Sequence, residues 1–125
     1  MNVRVIVPST NDVQAVRYAS RHLYAHLMRT GVRIFEWPGK MMHAKCGAID
    51  EVWSTIGSYN LDRRSFLHNL EVALVVIDSS VGEELQVEFE TQLQRCKEVL
   101  PEVWERRSWW QKTKEWAFYQ LRYWL

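Results

Sequence analysis

The sequence lacks the features of a membrane-spanning, disulfide-stabilised or nucleic-acid-binding protein. No apolar stretch in its 125 residues approaches the ~20 residues that a transmembrane helix needs. Its two cysteines, Cys46 and Cys96, have no metal-ligand spacing, so we expect reduced thiols in a cytosolic compartment. Sixteen Lys and Arg against 15 Asp and Glu leave a net charge of +1, which provides no basic field for nucleic acid. Any membrane contact would therefore be at the surface, and no nucleic-acid partner is expected.

The length suits one domain, along which strand-like and helix-like patterns alternate. Strands are predicted at 3–7, 32–37, 42–49, 52–56 and 71–77, the last buried on both faces because it is continuously apolar. Three helices are predicted. The first lies between the polar N-cap candidates at 9–12 and Gly31, the second runs from Leu85 to Leu100 before Pro101, and the third runs from 104 to 125.

This order predicts an α/β fold with a mixed β-sheet flanked by helices and a C-terminal amphipathic helix. Residues 1–100 would form the main domain and 101–125 a tail. Asp50 and Glu51 would join 42–49 and 52–56 as a hairpin.

The most informative stretch is the pattern H-x-K-x4-D-x6-G-S-x-N, which begins at His43. Successive side chains of a strand point to opposite faces, so His43 and Lys45 should share a face. Ser58 and Asn60 repeat this relation at the end of the next apolar run. An imidazole, an ammonium, a hydroxyl and a carboxamide brought together in this way suit the binding of one phosphate.

These residues resemble the HKD motif of the phospholipase D superfamily, in which a later glutamate follows, as Glu71 does here. The surrounding segments 31–36, 53–65 and 69–71 are similar to the second catalytic half of bacterial cardiolipin synthases. The resemblance covers nearly the whole chain, including a tryptophan-rich tail. It implies that residues 1–100 form a phospholipase D-like catalytic half-domain.

The resemblance also implies a mechanism in which His43 forms a covalent phosphohistidine. Lys45, Ser58 and Asn60 would bind the phosphoryl oxygens. Glu71 would accept a hydrogen bond from the second ring nitrogen of His43 and so select its tautomer. No metal ion or other cofactor is required.

Two charged residues of this region are weaker candidates for a catalytic role. Asp50 lies seven residues from His43, on the opposite face of a regular strand, so we expect it at the hairpin bend in a structural role, below Glu71 in importance. Arg63 belongs to a segment, 62–64, that would cap the turn after Asn60 or contact an anionic lipid headgroup.

The resembled site is assembled from two H-x-K motifs, and this chain contains one. Either a missing N-terminal half or a second copy in a symmetric dimer, as in the small endonucleases of the superfamily, would supply the other. The chain begins directly on a strand where the resembled half-domain has an earlier strand and helix. We therefore expect Met1 to lie inside a longer protein, and this chain alone to be nearly inactive.

Five of the seven tryptophans follow residue 100, interspersed with Lys and Arg. A broad aromatic face with basic flanks suits a helix that lies in the membrane interface. Packing of the same helix on its own domain or on the absent half would also explain the pattern. The predicted membrane-binding residues are Trp109, Trp110, Trp116 and Trp124.

The resemblance implies a cardiolipin synthase-like phosphatidyltransferase that acts on phosphatidylglycerol or a similar phospholipid. It would be peripheral, on the cytoplasmic side of the bacterial inner membrane. Two alternatives stay open: a phosphodiesterase or endonuclease that acts as a homodimer, and an inactive membrane-binding fragment. Near-neutral charge disfavours the endonuclease, whereas the missing second motif favours the inactive fragment.

Overall fold

The computed structural model describes residues 2–10, 13–39, 42–58 and 70–121, which fall into two compact units. The first unit combines residues 1–42 with 95–125, and the second spans 43–94. Each unit contains one three-stranded sheet. The predicted α/β class is confirmed, with the strands divided between two small sheets rather than gathered in one.

The elements lie close to most of the predicted positions. The strands are β1 (Val3–Pro8), β2 (Val32–Trp37), β3 (Cys46–Ile49), β4 (Trp53–Gly57), β5 (Ala73–Ile77) and β6 (Lys97–Glu98). The helices are α1 (Gln14–Arg29), α2 (Ser79–Leu93), α3 (Pro101–Glu105) and α4 (Trp109–Gln120). β3, β4, β5 and α2 belong to the second unit, and the other elements to the first.

The first unit is built on a parallel strand pair. β1 and β2 run parallel and are joined by α1, which packs on β2, because parallel neighbours require a crossover connection. Ile34 of β2, Tyr24 of α1 and Trp104 of α3 form the buried core. Burial raises the pKa of the Tyr24 hydroxyl far above its ordinary value.

The two ends of α1 differ in how well the sequence predicted them. Gly31 follows the helix with a φ of +90°, the left-handed conformation that ends many helices and suits glycine. The N-cap is Val13, which makes no side-chain capping bond. The cap position therefore lies one residue beyond the polar candidates at 9–12, of which Asn11 and Asp12 are outside the described residues.

The largest difference from the predicted elements follows Leu93. The helix predicted to continue to Leu100 ends at Leu93, and β6 pairs antiparallel with β2 instead. Arg33 donates to both carboxylate oxygens of Glu98 across this pair, at 2.8 and 3.0 Å. Cross-strand contacts of this kind override a local helical spacing. Pro101 begins α3, at a position where its missing N–H costs no hydrogen bond.

The second unit contains the predicted hairpin. β3, β4 and β5 form an antiparallel sheet in that order. Asp50 and Glu51 connect β3 to β4 with φ values of 50° and 57°, and two positive φ values are the mark of a type I′ turn. Asp tolerates this conformation better than most residues. Asp50 thus lies at the bend, as predicted.

The start of α2 is held against the same turn. The Asp78 N–H donates to the Val52 carbonyl oxygen at 2.9 Å, and the Asp78 carboxylate accepts the N–H groups of Ser80 and Val81 at 2.9 and 3.2 Å. Gly82 is buried where a Cβ would clash with the Glu51 backbone. Helix and turn therefore approach more closely than any other residue at this position would allow.

This cap is expected to make stability depend on pH in acid. The Ser80 hydroxyl, followed by the N–H groups of Val81 and Ser80, lowers the pKa of Asp78. A carboxyl whose pKa is lower in the folded than in the unfolded state stabilises the fold at pH values above its unfolded-state pKa. This contribution is lost as the pH falls through the folded-state pKa. Below about pH 4, the melting temperature should fall more steeply for the wild type than for Asp78→Asn, which still caps the helix. Equal slopes in calorimetry would contradict this expectation.

β5 is not buried on both faces, so that prediction is wrong. It lies at the edge of its sheet, and no described strand pairs with its outer side. Leu74 and Ile77 are 61% and 76% exposed. A continuous apolar run is typical of a covered strand, but coverage depends on neighbouring elements and not on the run itself.

Candidate active site

His43 and Lys45 lie in the irregular segment that leads into β3. β3 begins only at Cys46, so the strand predicted over 42–45 is wrong. The two side chains nevertheless meet, with Lys45 Nζ 3.1 Å from His43 Nδ1 and 3.2 Å from the His43 carbonyl oxygen. An ammonium has donors only, so Nδ1 is the acceptor in this contact. His43 is exposed and Lys45 half-buried, which leaves the pair accessible.

Ser58 and Glu71 form a second pair beside β4 and β5. The Ser58 hydroxyl donates to Glu71 Oε2 at 2.5 Å and accepts the Val72 N–H at 3.1 Å. The Ser58 N–H in turn donates to the Val72 carbonyl oxygen at 2.9 Å. These bonds extend the pairing of β4 and β5 past the end of β4 and hold the Glu71 carboxylate at the Ser58 hydroxyl.

Both pairs lie at the same end of the β3–β4–β5 sheet. The Gly57 N–H donates to the Lys45 carbonyl oxygen at 2.9 Å, and Gly57 opposes Ala73 in the β4–β5 register. β3 therefore begins where β4 ends and where β5 begins. The residues gathered at this end are His43, Lys45, Ser58 and Glu71.

Asp50 lies at the other end of this sheet. Five residues of extended chain separate it from Lys45, roughly 16 Å at about 3.3 Å per residue. Its side chain is exposed at the hairpin bend. A phosphate bound at Lys45 is therefore beyond its reach, in keeping with the structural role that the spacing predicts.

Three predicted site residues lie outside the described residues: Asn60, Arg63 and Trp124. The G-S-x-N part of the motif is seen as far as Ser58. The roles assigned to the three residues stay predictions.

The tail, as far as it is described (101–121), consists of two helices, and one face of it packs on α1. On α4, Phe118 stacks on Tyr18 with ring centroids 5.4 Å apart. Tyr119 contacts the His22 ring at 4.6 Å. The tail helix was predicted either to lie in the membrane interface or to pack on a domain. For this face, packing on its own domain is correct.

The packed face also carries an ion cluster that the sequence analysis missed. Glu115 is 4% exposed. It accepts hydrogen bonds from Arg107 at 2.7 Å and from Arg21 at 3.4 Å, and Arg21 also donates to Glu36 at 2.7 Å. The two guanidinium carbons lie 3.4 and 4.6 Å from the centroid of the Trp104 ring. The one available signal was that Glu115 is the sole acid in the sequence of α4.

The other face of α4 presents tryptophan to solvent. Trp109, Trp110 and Trp116 are 62%, 67% and 54% exposed. The first two stack with ring centroids 4.0 Å apart. At about 100° per residue, all three lie on the arc of the helix away from Glu115 and Phe118.

Neither a metal site nor a membrane span is found in the described part of the chain. Its residues include no group of three or more His, Cys, Asp or Glu placed to hold a metal ion. None of its helices combines the length and the hydropathy needed to cross a bilayer.

The sequence matches a family model described as "Cardiolipin synthase, PLD-like domain" over residues 1–93. Cardiolipin synthase A of Yersinia pseudotuberculosis serotype O:3 is 34% identical over 119 residues, 95% of this chain and 24% of that protein. Cardiolipin synthase A of Buchnera aphidicola subsp. Baizongia pistaciae is 33% identical over 121 residues, 97% of this chain and 25% of that protein. The chain spans about a quarter of the length of these relatives.

A solved structure shares the fold. Nuc from Salmonella typhimurium, a phospholipase D family member, superposes with a TM-score of 0.62 over 79% of this chain and 64% of that chain. At 12% identity, this likeness concerns the fold alone.

Proposed function

The chain belongs to the cardiolipin synthase family of phospholipase D-like domains, and from this premise we propose that it carries one half of a phosphatidyl-transfer site. The observation that carries the proposal is the meeting of His43 with Lys45, and of Ser58 with Glu71, at one end of a sheet. The donor would be phosphatidylglycerol or a similar phospholipid. The acceptor would be a glycerol hydroxyl of a second lipid.

The proposed reaction has two displacements at phosphorus. His43 attacks the donor phospholipid, and the bond between phosphorus and the headgroup oxygen breaks, which leaves a phosphohistidine. The acceptor hydroxyl then attacks phosphorus, the phosphorus–nitrogen bond breaks and His43 is regenerated. A histidine of a second motif protonates the leaving oxygen and later takes the proton of the acceptor. That motif would come from a longer chain or a second copy.

The contact between Lys45 and His43 has a role in this scheme. Because Nδ1 accepts from the ammonium, the proton of a neutral His43 ring lies on Nε2. A phosphate oxygen is a stronger acceptor and would draw Lys45 to itself. Nδ1 is then free to carry the proton, which Glu71 would hold, and the unprotonated Nε2 can attack.

Ser58 supports the same carboxylate. In this conformation the Ser58 hydroxyl donates its hydrogen to Glu71. The hydroxyl must therefore rotate before it can donate to a phosphate oxygen. Asn60 would supply the second neutral donor of the proposed site.

The test is a lipid-product assay on the longest natural polypeptide that contains these 125 residues. With phosphatidylglycerol vesicles, cardiolipin and free glycerol should form in equal amounts. The isolated chain should be nearly inactive in the same assay because it carries one motif. Cleavage of DNA or of bis-nitrophenyl phosphate without any lipid product would point to a phosphodiesterase and refute the proposal.

We propose further that the exposed face of α4 contacts the cytoplasmic surface of the inner membrane. Tryptophan rings favour the headgroup region of a bilayer, and the three exposed rings form one face. Lys112 and Lys114 lie on the flanks of that face by helical geometry, where anionic headgroups would attract them. The packed face of α4 can stay on α1 during this contact.

Replacing Trp109, Trp110 and Trp116 together by serine is expected to weaken binding to phosphatidylglycerol vesicles at least about tenfold, since binding scales with the apolar area inserted. Vesicle co-sedimentation measures the effect. Val87→Ser is the matched control, because Val87 is 66% exposed and lies on α2. Equal binding of the triple variant and the control would contradict the prediction. Deleting the tail from residue 104 onward is not an equivalent test of the exposed face, because Trp104 belongs to the core.

A further inference from the structure

A small cavity lies between α1 and the carboxyl end of β1. It has a volume of about 110 Å³, which is space for several water molecules or for one phosphate group. The residues that line it are two from β1 and three from α1: Val7, Pro8, Arg17, Ser20 and Tyr24. Apolar walls with a few polar groups are typical of a ligand site. Open α/β sheets commonly bind ligands at the carboxyl ends of their parallel strands.

Arg17 brings to this cavity a nitrogen that the fold leaves unpaired. Its Nε is shielded from solvent and has no hydrogen-bond partner among the described residues. Arg21, one turn further along α1, differs because it donates to Glu36 at 2.7 Å and to Glu115 at 3.4 Å. A shielded donor of a charged group costs free energy unless it is hydrogen-bonded. A ligand in the cavity can supply the acceptor that the described residues do not.

The chemistry of the cavity favours an anion. Burial raises the pKa of the Tyr24 hydroxyl far above its ordinary value, so this group stays protonated and can donate a hydrogen bond. No Asp or Glu is among the described residues that line the cavity. The Glu36 carboxylate, which also acts on Tyr24, is paired with Arg21 at 2.7 Å. The Arg17 charge and the Tyr24 donor therefore select a ligand with negatively charged oxygen atoms.

We propose that this cavity binds one phosphate group, with the Arg17 guanidinium as its main ligand and the Tyr24 hydroxyl as a second donor. A guanidinium can donate two parallel hydrogen bonds to phosphate oxygens. The volume of the cavity limits the ligand to one such group. Two sources share this chemistry: inorganic phosphate, and the phosphodiester of a lipid headgroup whose two organic arms remain outside the cavity.

This phosphate site is distinct from the proposed phosphatidyl-transfer site. The residues that line the cavity belong to the first unit, whereas His43, Lys45, Ser58 and Glu71 belong to the second. The two sites share no residue. Either proposal can therefore fail without the other.

Nuclear magnetic resonance of the 125-residue chain tests the site directly. Inorganic phosphate is titrated at constant ionic strength, with chloride as the reference anion. The Arg17 Nε–H signal and the amide signals of Ser20 and Tyr24 should shift and reach saturation in the millimolar range. Glycerophosphoglycerol, the deacylated form of phosphatidylglycerol, is titrated in parallel. Saturable shifts with either probe support the site, and the tighter probe identifies the source of the phosphate. No shift with either probe would overturn the inference.

Three variants assign the binding to Arg17. Arg17→Met should weaken phosphate binding at least about tenfold, because a charged two-pronged contact is lost. Arg17→Lys keeps the charge without the planar fork, so its affinity should be intermediate. Arg29→Met is the matched control, because Arg29 is an exposed arginine of the same helix, and it should bind phosphate as the wild type does. Binding that persists in Arg17→Met but is lost in Lys45→Met would place the anion at the proposed active site and overturn the inference.

Thermal unfolding separates a ligand-binding arginine from a purely structural one. A ligand that binds only the folded state raises the melting temperature, so phosphate should stabilise the wild type and Arg29→Met but not Arg17→Met. In phosphate-free buffer, Arg17→Met should be at least as stable as the wild type, because it removes an unpaired donor. A variant that is destabilised without phosphate, together with a wild type that does not respond to phosphate, would overturn the inference.

Discussion

Replacing His43 by alanine is expected to lower kcat for phosphatidyl transfer by about 10⁴- to 10⁶-fold, the range typical of losing a covalent nucleophile. The proposed route depends on a nitrogen that attacks phosphorus, and alanine offers no substitute. Lys45 would still bind the phosphate, so KM should change far less than kcat. Formation of cardiolipin from phosphatidylglycerol by the longest natural polypeptide measures both parameters.

Two control variants make this prediction specific. His26→Ala removes an exposed histidine of α1 and should leave kcat near the wild-type value. Asp50→Asn keeps a side chain that tolerates the positive φ of the bend and should also retain activity, because Asp50 lies roughly 16 Å along the strand from Lys45. If Asp50→Asn lost as much activity as His43→Ala, the site would not lie at the end of the sheet that carries the His43–Lys45 and Ser58–Glu71 pairs.

Replacing Glu115 by alanine is expected to lower the free energy of unfolding by about 3–5 kcal/mol. The side chains of Arg21 and Arg107 are 18% and 14% exposed, and both donate to the Glu115 carboxylate. Without this carboxylate, the Arg107 guanidinium loses its ion pair, whose N–O distance is 2.7 Å, but remains largely buried. Removing one partner of a buried ion pair costs more than the pair contributes, because the remaining charge is left uncompensated.

Urea unfolding followed by circular dichroism measures this loss. Glu105→Ala is the matched control, because Glu105 is an exposed acid of α3, and its loss should change stability by no more than about 0.5 kcal/mol. Hydrogen exchange gives an independent readout, since the amides of 109–120 should lose protection in Glu115→Ala as α4 detaches from α1. A Glu115→Ala variant as stable as Glu105→Ala would show that packing of aromatic rings alone holds the tail.

The structure brings His43 and Lys45 together, but not on a strand. The prediction assumed a strand over 42–45, whereas this segment is irregular and the two side chains meet through a hydrogen bond. The roles assigned to these residues stay predictions. The link between Ser58 and Glu71 spans 13 positions, and nothing in the local pattern required it. Residues two apart can be related by local geometry, whereas this contact depends on how β4 pairs with β5.

The sequence by itself determined the features that depend on near neighbours along the chain. These are the bend at Asp50, the helix end at Gly31, the chemical groups of the H-x-K pattern and the resemblance to the phospholipase D superfamily. Tertiary structure alone decided that Lys97 and Glu98 join a strand and that β5 is exposed. It also decided which face of α4 is packed, because Arg21 and Glu115 are 94 positions apart. Burial and ion pairing are relations between distant residues, and the pattern of apolar residues along a segment does not show which partners will cover it.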